Sequence, residues 1–197
     1  MKRFKGLSFK GRAFLLLIIL LGVVTGCTAP TLQSVVTGIT SGQDSKAHLI
    51  KGVPVLTQGD KLCGPAALAA VMNYHGNPVT QQQVAGSVFT EKAQGTFTLD
   101  MLLYAKDAKG LLATHYSGDL NDIRRRVRDD NPPILFLKTG VRRFPKGHYV
   151  VVTGFSDTYK VVIMHDGGDK PVIMSYNTLL ASWRKTAYST LLVIKEQ

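Results

Sequence analysis

The sequence predicts an α+β domain in which a group of helices precedes an antiparallel β-sheet. Three observations support this prediction. An alanine-rich run of helix formers follows Cys63, and further helical segments continue to Arg128. From Ile134 onwards the chain changes to short β-rich runs that are separated by Gly, Asp or Pro. Helices that come first and strands that follow are typical of an α+β fold with an antiparallel sheet.

Four helices are predicted in the first half of the domain. The first covers Gly64–Tyr74 and ends where His75-Gly76-Asn77-Pro78 supplies a glycine and then a proline. The second starts after Thr80, because Gln83 three residues later completes a capping-box pattern. The third and fourth helices are predicted at Thr98–Lys109 and Leu120–Arg128. One further short helix, around Trp183 in the second half, is predicted at Asn177–Lys185.

The second half of the domain contains runs rich in β-branched and apolar residues. Each run is short and bounded by turn-forming residues, as expected for strands. The predicted strands are Ile134–Leu137, His148–Thr153, Lys160–Met164, Pro171–Met174 and Thr190–Ile194. The leucines in and after the third helix are predicted to belong to the hydrophobic core: Leu99, Leu102, Leu103 and Leu111.

The N-terminus has the three-part layout of a secretory signal. A cationic head ends at Arg12, an apolar run covers Ala13–Val24, and small residues lead to Cys27. The apolar run is short for a membrane span, which needs about 20 residues. We therefore predict a signal peptide over residues 1–26. The alternative is an uncleaved signal anchor with an incidental cysteine, and both place the rest of the chain outside the cytoplasm.

The residues before Cys27 resemble the lipobox of bacterial lipoproteins. The resemblance implies that Cys27 is diacylated and anchors the chain to a membrane of the bacterial cell envelope. Thr28, rather than an aspartate, follows the cysteine, which in a Gram-negative cell implies the periplasmic face of the outer membrane. Residues 27–46 are rich in small polar residues and are predicted to form a flexible tether. Residues 47–197 are predicted to form a single domain.

Neither the charge nor the spacing of polar residues indicates a nucleic-acid or metal site. The formal net charge is +11, but five of the 24 basic residues lie in the predicted signal. The remaining excess is compatible with an acidic partner or anionic lipid, and ordinary solubility is the simpler interpretation. The densest basic run, Arg124–Arg128, is predicted to be a solvated helical face without the aromatic residues typical of nucleic-acid binding. His165–Asp169 lacks the spacing of a calcium or zinc site, so no metal and no cofactor is predicted.

Cys63 is the candidate nucleophile. It stands at the start of the first predicted helix, and a helix N-terminus stabilises a thiolate. Pro65 suits the first turn of that helix, where its missing N–H is not needed. Gln58 lies five residues upstream across a predicted turn, so its side-chain amide is placed to donate to an oxyanion together with the Cys63 backbone N–H. With Cys27 lipidated, the chain has no second cysteine for an intramolecular disulfide.

His148 is the candidate base. It lies between the basic turn Arg142–Gly147 and the apolar run Tyr149–Val152, at the mouth of a predicted buried strand. Asp166 follows the next predicted strand, and an antiparallel hairpin would bring it near His148 to orient the imidazole. His165 is the one rival base, and side-chain alternation along a continuing strand would point it away from the side of Asp166.

Two motifs in this order and spacing resemble the C39 family of bacterial cysteine peptidases. The first contains Gln58, Cys63-Gly64-Pro65-Ala66-Ala67-Leu68 and Tyr74-His75-Gly76. The second follows Pro133-Ile134-Leu135 and contains Gly147-His148-Tyr149-Val150-Val151-Val152-Thr153-Gly154-Phe155 and then Asp166. The resemblance covers roughly residues 51–190. It implies a papain-like fold, in which a helical half with the nucleophile at a helix N-terminus packs on an antiparallel sheet.

The same resemblance implies a reaction and a role for each site residue. Cys63 is then the nucleophile, His148 the general base and acid, Asp166 the group that orients it, and Gln58 the oxyanion-hole donor. Transporter-linked members of the family cut leader peptides after a double glycine. For this chain the resemblance implies a peptide or protein substrate and, for any coupling to export, a separate transporter or secretion-system partner.

Two other functions stay open at the level of the sequence. One is a binding module that keeps the fold and holds a leader peptide or export substrate without cutting it. The other is transfer or hydrolysis at a glutamine or peptidoglycan amide, since thioester chemistry supports both. The presence of Gln58, Cys63, His148 and Asp166 together favours the peptidase.

Overall fold

The described part of the protein begins just after the predicted signal. A computed structural model describes residues 29–59, 61–139 and 146–196. The predicted signal peptide over residues 1–26 and the predicted lipidation site Cys27 lie outside them. Thr31–Gln197 forms one compact unit. Within the described residues, no helix combines the length and the apolar character needed to span a bilayer.

Helices and strands alternate along the first half of this unit, and strands dominate the second. The helices are α1 (Leu32–Thr40), α2 (Cys63–Tyr74), α3 (Gln81–Val88), α4 (Thr98–Lys106), α5 (Leu120–Arg128) and α6 (Tyr176–Trp183), with 3₁₀ turns at Glu91–Ala93 and Arg184–Thr186. The strands are β1 (Ala47–Leu49), β2 (Phe89–Thr90), β3 (Gly95–Thr96), β4 (Leu111–Ser117), β5 (Ile134–Thr139), β6 (Lys146–Ser156), β7 (Val161–His165), β8 (Val172–Ser175) and β9 (Ser189–Lys195).

The strands form an antiparallel sheet in the order β4-β9-β5-β6-β7-β8, and β1 pairs with the far half of β6. Each run predicted to be a strand is one of β5 to β9, so the α+β prediction with an antiparallel sheet is confirmed. Strands β1 to β4 were not predicted. Strand β1 precedes the predicted helices, β4 lies within the half predicted to be helical, and β2 and β3 form a separate small hairpin.

Helix α2 is the central helix of the fold. Its residues Gly64–Met72 are all buried, because apolar or small side chains surround the whole helix. It packs against β6 and against helices α3 and α4. The capping box predicted at the start of α3 is present, with Thr80 and Gln83 bonding each other's backbone N–H groups. Burial of α2 against β6 sets its N-terminus beside the first residues of that strand.

Strand β6 carries the second half of the site. It pairs with β5 over Lys146–Val151 and with β7 over Val151–Ser156. The register shifts between Val152 and Gly154, and the Thr153 carbonyl accepts the N–H of Ile50 at 2.8 Å. The strand is buried from Tyr149 onwards and exposed at its first residues. His148 therefore stands where the buried strand reaches the surface.

Residues 31–46 are packed onto the domain, so the prediction of a flexible tether over 27–46 is wrong for this part. Val35 on α1 is fully buried against Val161 and Ile163 of β7. The Asp44 carboxylate is also buried and accepts hydrogen bonds from the hydroxyls of Ser156 and Thr158. The segment has few large apolar residues, which is typical of a linker. The buried side chains of Val35 and Asp44 nevertheless attach it to the domain.

Helix α4 presents a different face to the core than predicted. Met101 and Ala105 are fully buried, whereas the side chains of Leu99 and Leu103 are 59% and 52% exposed. Leu99 and Leu103 each stand two residues from Met101, which is about 200° around a helix. The placement of these two leucines in the core is therefore wrong, while the buried Leu111 agrees with it.

The arginines of α5 are not a uniformly solvated face. Arg124 donates to the Asp157 carboxylate from Nε at 2.8 Å and from its terminal nitrogen at 2.6 Å. Its guanidinium also lies over the ring of Tyr176, whose hydroxyl donates to the same Asp157 oxygen at 2.9 Å. The prediction of a solvated run is wrong for Arg124, because an acidic partner 33 residues away in sequence lies beside it.

Candidate active site

The cleft is built around the N-terminus of α2, where Cys63 is the first helical residue. A turn precedes it, closed by the Leu62 N–H donating to the Gly59 carbonyl at 3.2 Å. The first N–H groups of a helix have no partner within the helix, and its dipole favours negative charge there. The predicted position of Cys63 at a helix start is confirmed, and its side chain is half-buried.

The His148 imidazole lies beside the Cys63 thiol. Its Nε2 is 2.8 Å from the main-chain oxygen of Asp166. A carbonyl oxygen only accepts, so Nε2 must carry a hydrogen. In the neutral imidazole this leaves Nδ1 without a hydrogen and able to take the thiol proton. The main-chain bond thus selects the ring tautomer that a base for Cys63 requires.

The thiol and the imidazole shift each other's acidity. Burial alone would raise the pKa of Cys63, but the hydrogen bond and charge of His148 outweigh it. Main-chain N–H groups of Tyr149 and Gly64 assist, and the pKa of Cys63 lies below its ordinary value. The pKa of His148 is raised, first by its hydrogen bond to Cys63 and against its own burial. Both directions favour a thiolate–imidazolium pair.

Asp166 orients His148 through its backbone rather than through its carboxylate. The carboxylate oxygen Oδ1 instead accepts the N–H of Gly168 at 3.1 Å. It therefore stabilises the turn that follows β7. Asp166 was predicted to orient His148 through its side chain, by analogy with a catalytic triad. In the structure Asp166 is the partner of His148, but the contact is made by its main-chain oxygen. Sequence reasoning had no signal for this, because a carbonyl is common to every residue type.

Gln58 lies next to this turn. Its backbone N–H donates to the Gly167 carbonyl at 3.0 Å. Its side-chain oxygen Oε1 is buried without a hydrogen-bond partner among the described residues and faces Gly167. Gln58 lines the same cleft as Cys63. Its role as a donor to an oxyanion stays a prediction.

Cys63, His148 and Gln58 line one open cleft of about 650 Å³. Sequence reasoning missed its opposite wall, which is the β2–β3 hairpin with the turn between the strands. Lys61 bridges the cleft by donating to the Gln94 side-chain oxygen at the hairpin's tip. The further lining residues are Ala93, Gly95, Thr96, Phe136, Lys146, Gly147 and Tyr149. The two-residue strands of the hairpin are too short to leave a period-2 pattern.

Tyr149 fastens this wall to the sheet. Its hydroxyl lies 2.7 Å from the Thr98 hydroxyl and donates to the Thr96 carbonyl at 3.3 Å. Its ring stacks on Phe136, with the two centroids 4.6 Å apart. Burial raises the pKa of Tyr149 to about 12, so its hydroxyl stays protonated. Tyr149 is thus a structural residue of the site rather than an acid or base in it.

The rival base does not line the cleft. His165 is hydrogen-bonded to the Pro54 carbonyl, and burial lowers its pKa. Its other ring nitrogen, Nδ1, is buried without a partner among the described residues. Over the same residues, no three side chains of the His, Cys, Asp and Glu types converge as a metal site would require.

Comparison with solved structures identifies similar peptidase domains. The peptidase domain of Streptococcus ComA, a bifunctional ABC transporter involved in quorum sensing, is 25% identical, with a TM-score of 0.58, over 74% of this chain and 100% of that one. A double-glycine-motif protease of an AMS/PCAT transporter, solved with its leader peptide, is 23% identical, with a TM-score of 0.51, over 77% and 99%.

A third structure extends the likeness in fold beyond the transporter-linked proteins. Xylellain, a cysteine protease from Xylella fastidiosa, is 10% identical, with a TM-score of 0.60, over 85% of this chain and 91% of that one. No curated protein matches the sequence. The predicted papain-like architecture is confirmed by these folds, and the model of the Peptidase C39-like family matches residues 35–191. The chain therefore belongs to the Peptidase C39-like family.

Proposed function

We propose that this protein is a lipid-anchored cysteine peptidase of the bacterial cell envelope that cuts a secreted or exported peptide or protein. One observation carries the enzymatic part. The Cys63 thiol, at the N-terminus of α2, faces an imidazole whose tautomer is held by the Asp166 carbonyl in an open cleft. The mutual pKa shifts of Cys63 and His148 are those of a thiolate–imidazolium pair.

The first step is attack on the substrate. The Cys63 thiolate adds to the scissile carbonyl carbon, forming an S–C bond while the π electrons move to the oxygen. The Gln58 amide and the Cys63 backbone N–H donate to that oxyanion. His148, protonated at Nδ1, gives its proton to the leaving nitrogen as the C–N bond breaks. The products of this step are a thioester on Cys63 and a free amine.

The second step releases the enzyme. His148 is neutral after the first step, and its Nδ1 takes a proton from a water molecule. The resulting hydroxide adds to the thioester carbonyl through a second oxyanion at the same donors. Collapse breaks the C–S bond, which liberates a carboxylic acid and restores the thiolate–imidazolium pair. The proton that His148 gives to the amine in the first step is replaced by one from water in the second.

The proposed substrate class rests on likeness and on the cleft. The ComA peptidase domain belongs to an ABC transporter, and the AMS/PCAT protease binds a leader peptide. We propose a peptide with a Gly-Gly-type cleavage site, presented by a separate transporter or secretion partner. The cleft is open at the surface, which suits an extended chain passing between the β2–β3 hairpin and β6.

Cleavage is tested with the full-length chain in detergent and a peptide library that contains Gly-Gly sites, read by mass spectrometry. Wild type is expected to release fragments, and Cys63→Ala is expected to release none. Cys63→Ala should still bind the uncut peptide, which identifies the thiol as the chemical group. Binding without cleavage by wild type would instead support the non-cleaving module. Release of ammonia from glutamine or peptidoglycan amides would support the amide-directed alternative.

The proposed anchor is tested separately. Cells that express wild type or Cys27→Ala are fed an alkyne-tagged fatty acid and fractionated. Wild type is expected to carry the tag and to sediment with the outer membrane, whereas Cys27→Ala is expected to lose the tag. Cys63→Ala is the matched control, because it removes the other cysteine and should keep the tag. An untagged wild-type chain would rule out lipidation.

A further inference from the structure

We propose that Gly167 is a positioning residue for the oxyanion hole, required because only a residue without Cβ leaves room for the Gln58 side chain. This inference rests on the proposed function and adds a residue to it. It starts from the turn after β7, where Asp166, Gly167 and Gly168 contact site residues or one another.

The turn holds both the base and the oxyanion donor. The Asp166 carbonyl accepts the His148 Nε2–H at 2.8 Å, and the Gly167 carbonyl accepts the Gln58 N–H at 3.0 Å. The Asp166 carboxylate accepts the Gly168 N–H at 3.1 Å, which closes the turn around Gly167. Consecutive carbonyls therefore set the relative position of an imidazole and an amide that come from distant parts of the chain.

Two features of position 167, its backbone conformation and the space around it, require a glycine. Its φ is +89°, a backbone region that side chains disfavour. A Cβ built on it would stand 2.3 Å from Gln58 Cδ and 2.6 Å from Gln58 Oε1. Real carbon atoms do not approach so closely, so the two side chains exclude each other. The backbone of Gln58 is held by its hydrogen bond to this same residue.

The direction of the displacement follows from this geometry. Since the Gln58 main chain is tethered to the Gly167 carbonyl, its side-chain amide must rotate away when a Cβ is added. Rotating the end of a flexible side chain costs little stability. It moves the Gln58 amide away from the position proposed for the oxyanion donor, however, and misplacing such a donor reduces kcat by up to about 10². A substitution here should therefore damage turnover far more than folding.

The chain contains a matched control. Gly52 has φ +82°, and a Cβ added there would have no atom within 4 Å, so alanine meets the same backbone cost without a clash. Gly167→Ala and Gly52→Ala are expected to lower Tm by similar amounts. Only Gly167→Ala is expected to lower kcat, by about 10- to 100-fold with KM little changed. Equal kcat in the two variants would overturn the inference.

A second pair of variants guards against misfolding. Asparagine tolerates positive φ better than other side chains but still has a Cβ. Gly167→Asn should fold more readily than Gly167→Ala and show the same loss of kcat. Gly52→Asn should keep the kcat of the wild type. A double-mutant cycle then tests the route of the effect. In a Gln58→Ala background, Gly167→Ala is expected to cause no further loss, and a full additional loss would mean that Gly167 acts elsewhere.

A probe that needs no turnover separates this inference from the proposed function. Acetyl-Gly-glycinal is added to the full-length chain, and its binding is measured as protection of Cys63 from iodoacetamide. The thiolate adds to the aldehyde carbon, the π electrons move to the oxygen, and His148 supplies the proton. Gly167→Ala is expected to need about 10-fold more aldehyde than Gly52→Ala or wild type.

Each result has one meaning. A wild type that binds the aldehyde but cuts no peptide would overturn the peptidase, and the inference would stand if Gly167→Ala still weakened binding. A wild type that cuts peptides while Gly167→Ala binds the aldehyde like Gly52→Ala would overturn the inference alone. A wild type that neither binds the aldehyde nor cuts peptide would overturn both.

Discussion

His148 Nε2 is hydrogen-bonded to the main-chain oxygen of Asp166, at 2.8 Å, and not to its carboxylate. The Asp166 carboxylate instead accepts the Gly168 N–H. An imidazole held in this way keeps its tautomer whatever side chain residue 166 has, provided that the turn keeps its shape. The residue type at 166 then matters for the turn and the local charge more than for the direct contact.

Asp166→Asn is therefore expected to keep most of the activity. The asparagine oxygen can still accept the Gly168 N–H, and the main-chain acceptor for His148 is unchanged. We expect kcat/KM to fall less than about 10-fold, against the roughly 10⁴-fold loss typical where a carboxylate itself holds the histidine. The Asp166 charge also helps to raise the pKa of His148, so the alkaline limb of the pH profile should move slightly lower.

The control for this prediction is His148→Ala, which should abolish cleavage while leaving the turn intact. Peptide cleavage across a pH series from about 5 to about 10 measures both variants together. A loss of about 10³ or more in Asp166→Asn would show that the carboxylate, and not the carbonyl, orients the ring during turnover.

The reactivity of Cys63 is expected to depend on His148 in a defined direction. The pKa of Cys63 lies below its ordinary value despite burial, because His148 stabilises the thiolate. The rate of iodoacetamide labelling should therefore rise with pH around a midpoint below the roughly 8.5 of an unperturbed thiol. In His148→Ala only the main-chain N–H groups of Tyr149 and Gly64 still oppose the effect of burial, so the midpoint should move to a higher pH than in the wild type.

His115→Ala is the matched control for labelling. His115 is bonded to the Ser189 hydroxyl at 2.9 Å and does not line the cleft. Its removal should leave the labelling midpoint unchanged. An identical midpoint for wild type and His148→Ala would refute the ion pair.

Tyr149→Phe is expected to loosen the hairpin wall of the cleft. The change removes the hydroxyl that contacts Thr98 at 2.7 Å and the Thr96 carbonyl at 3.3 Å, from a residue that is 4% exposed. We expect a loss of about 1–2 kcal/mol in the free energy of unfolding, measured in urea. KM should rise, because Thr96 lines the cleft, whereas kcat should change little.

Tyr159→Phe serves as the comparison, since Tyr159 is 39% exposed and stands on a turn away from the cleft. It should change stability by less than about 0.5 kcal/mol. Equal stability of Tyr149→Phe and wild type would mean that the hydroxyl contacts do not hold the wall.

Val35→Ala tests the packing of α1. Val35 is fully buried against Val161 and Ile163, so removing two methyl groups should cost about 2 kcal/mol of unfolding free energy. Gln33→Ala, an exposed change on the same helix, should be nearly neutral. Unfolding of the full-length chain in urea, followed by the fluorescence of the buried Trp183, measures both. Equal urea midpoints for Val35→Ala and Gln33→Ala would mean that α1 is not packed on the domain and that the segment is a flexible tether.

Local signals predicted the elements that build the site. The helix start at Cys63, the capping box at Thr80 and the strand beginning near His148 each depend on a few adjacent residues. Such signals are short-range, so they survive in the fold unless packing opposes them. Packing overrode a different prediction at α4, where Met101 rather than Leu103 faces the core.

The sequence by itself determined helices α2 to α6 and strands β5 to β9, the family motifs and the identity of the nucleophile and base candidates. These properties depend on residue types along a contiguous chain. Only the tertiary structure decided that a carbonyl of Asp166 holds His148, that Gly167 makes room for Gln58, and that α1 packs on β7. The physical reason is that each depends on where backbone atoms and side-chain volumes meet across distant segments, which residue types alone do not specify.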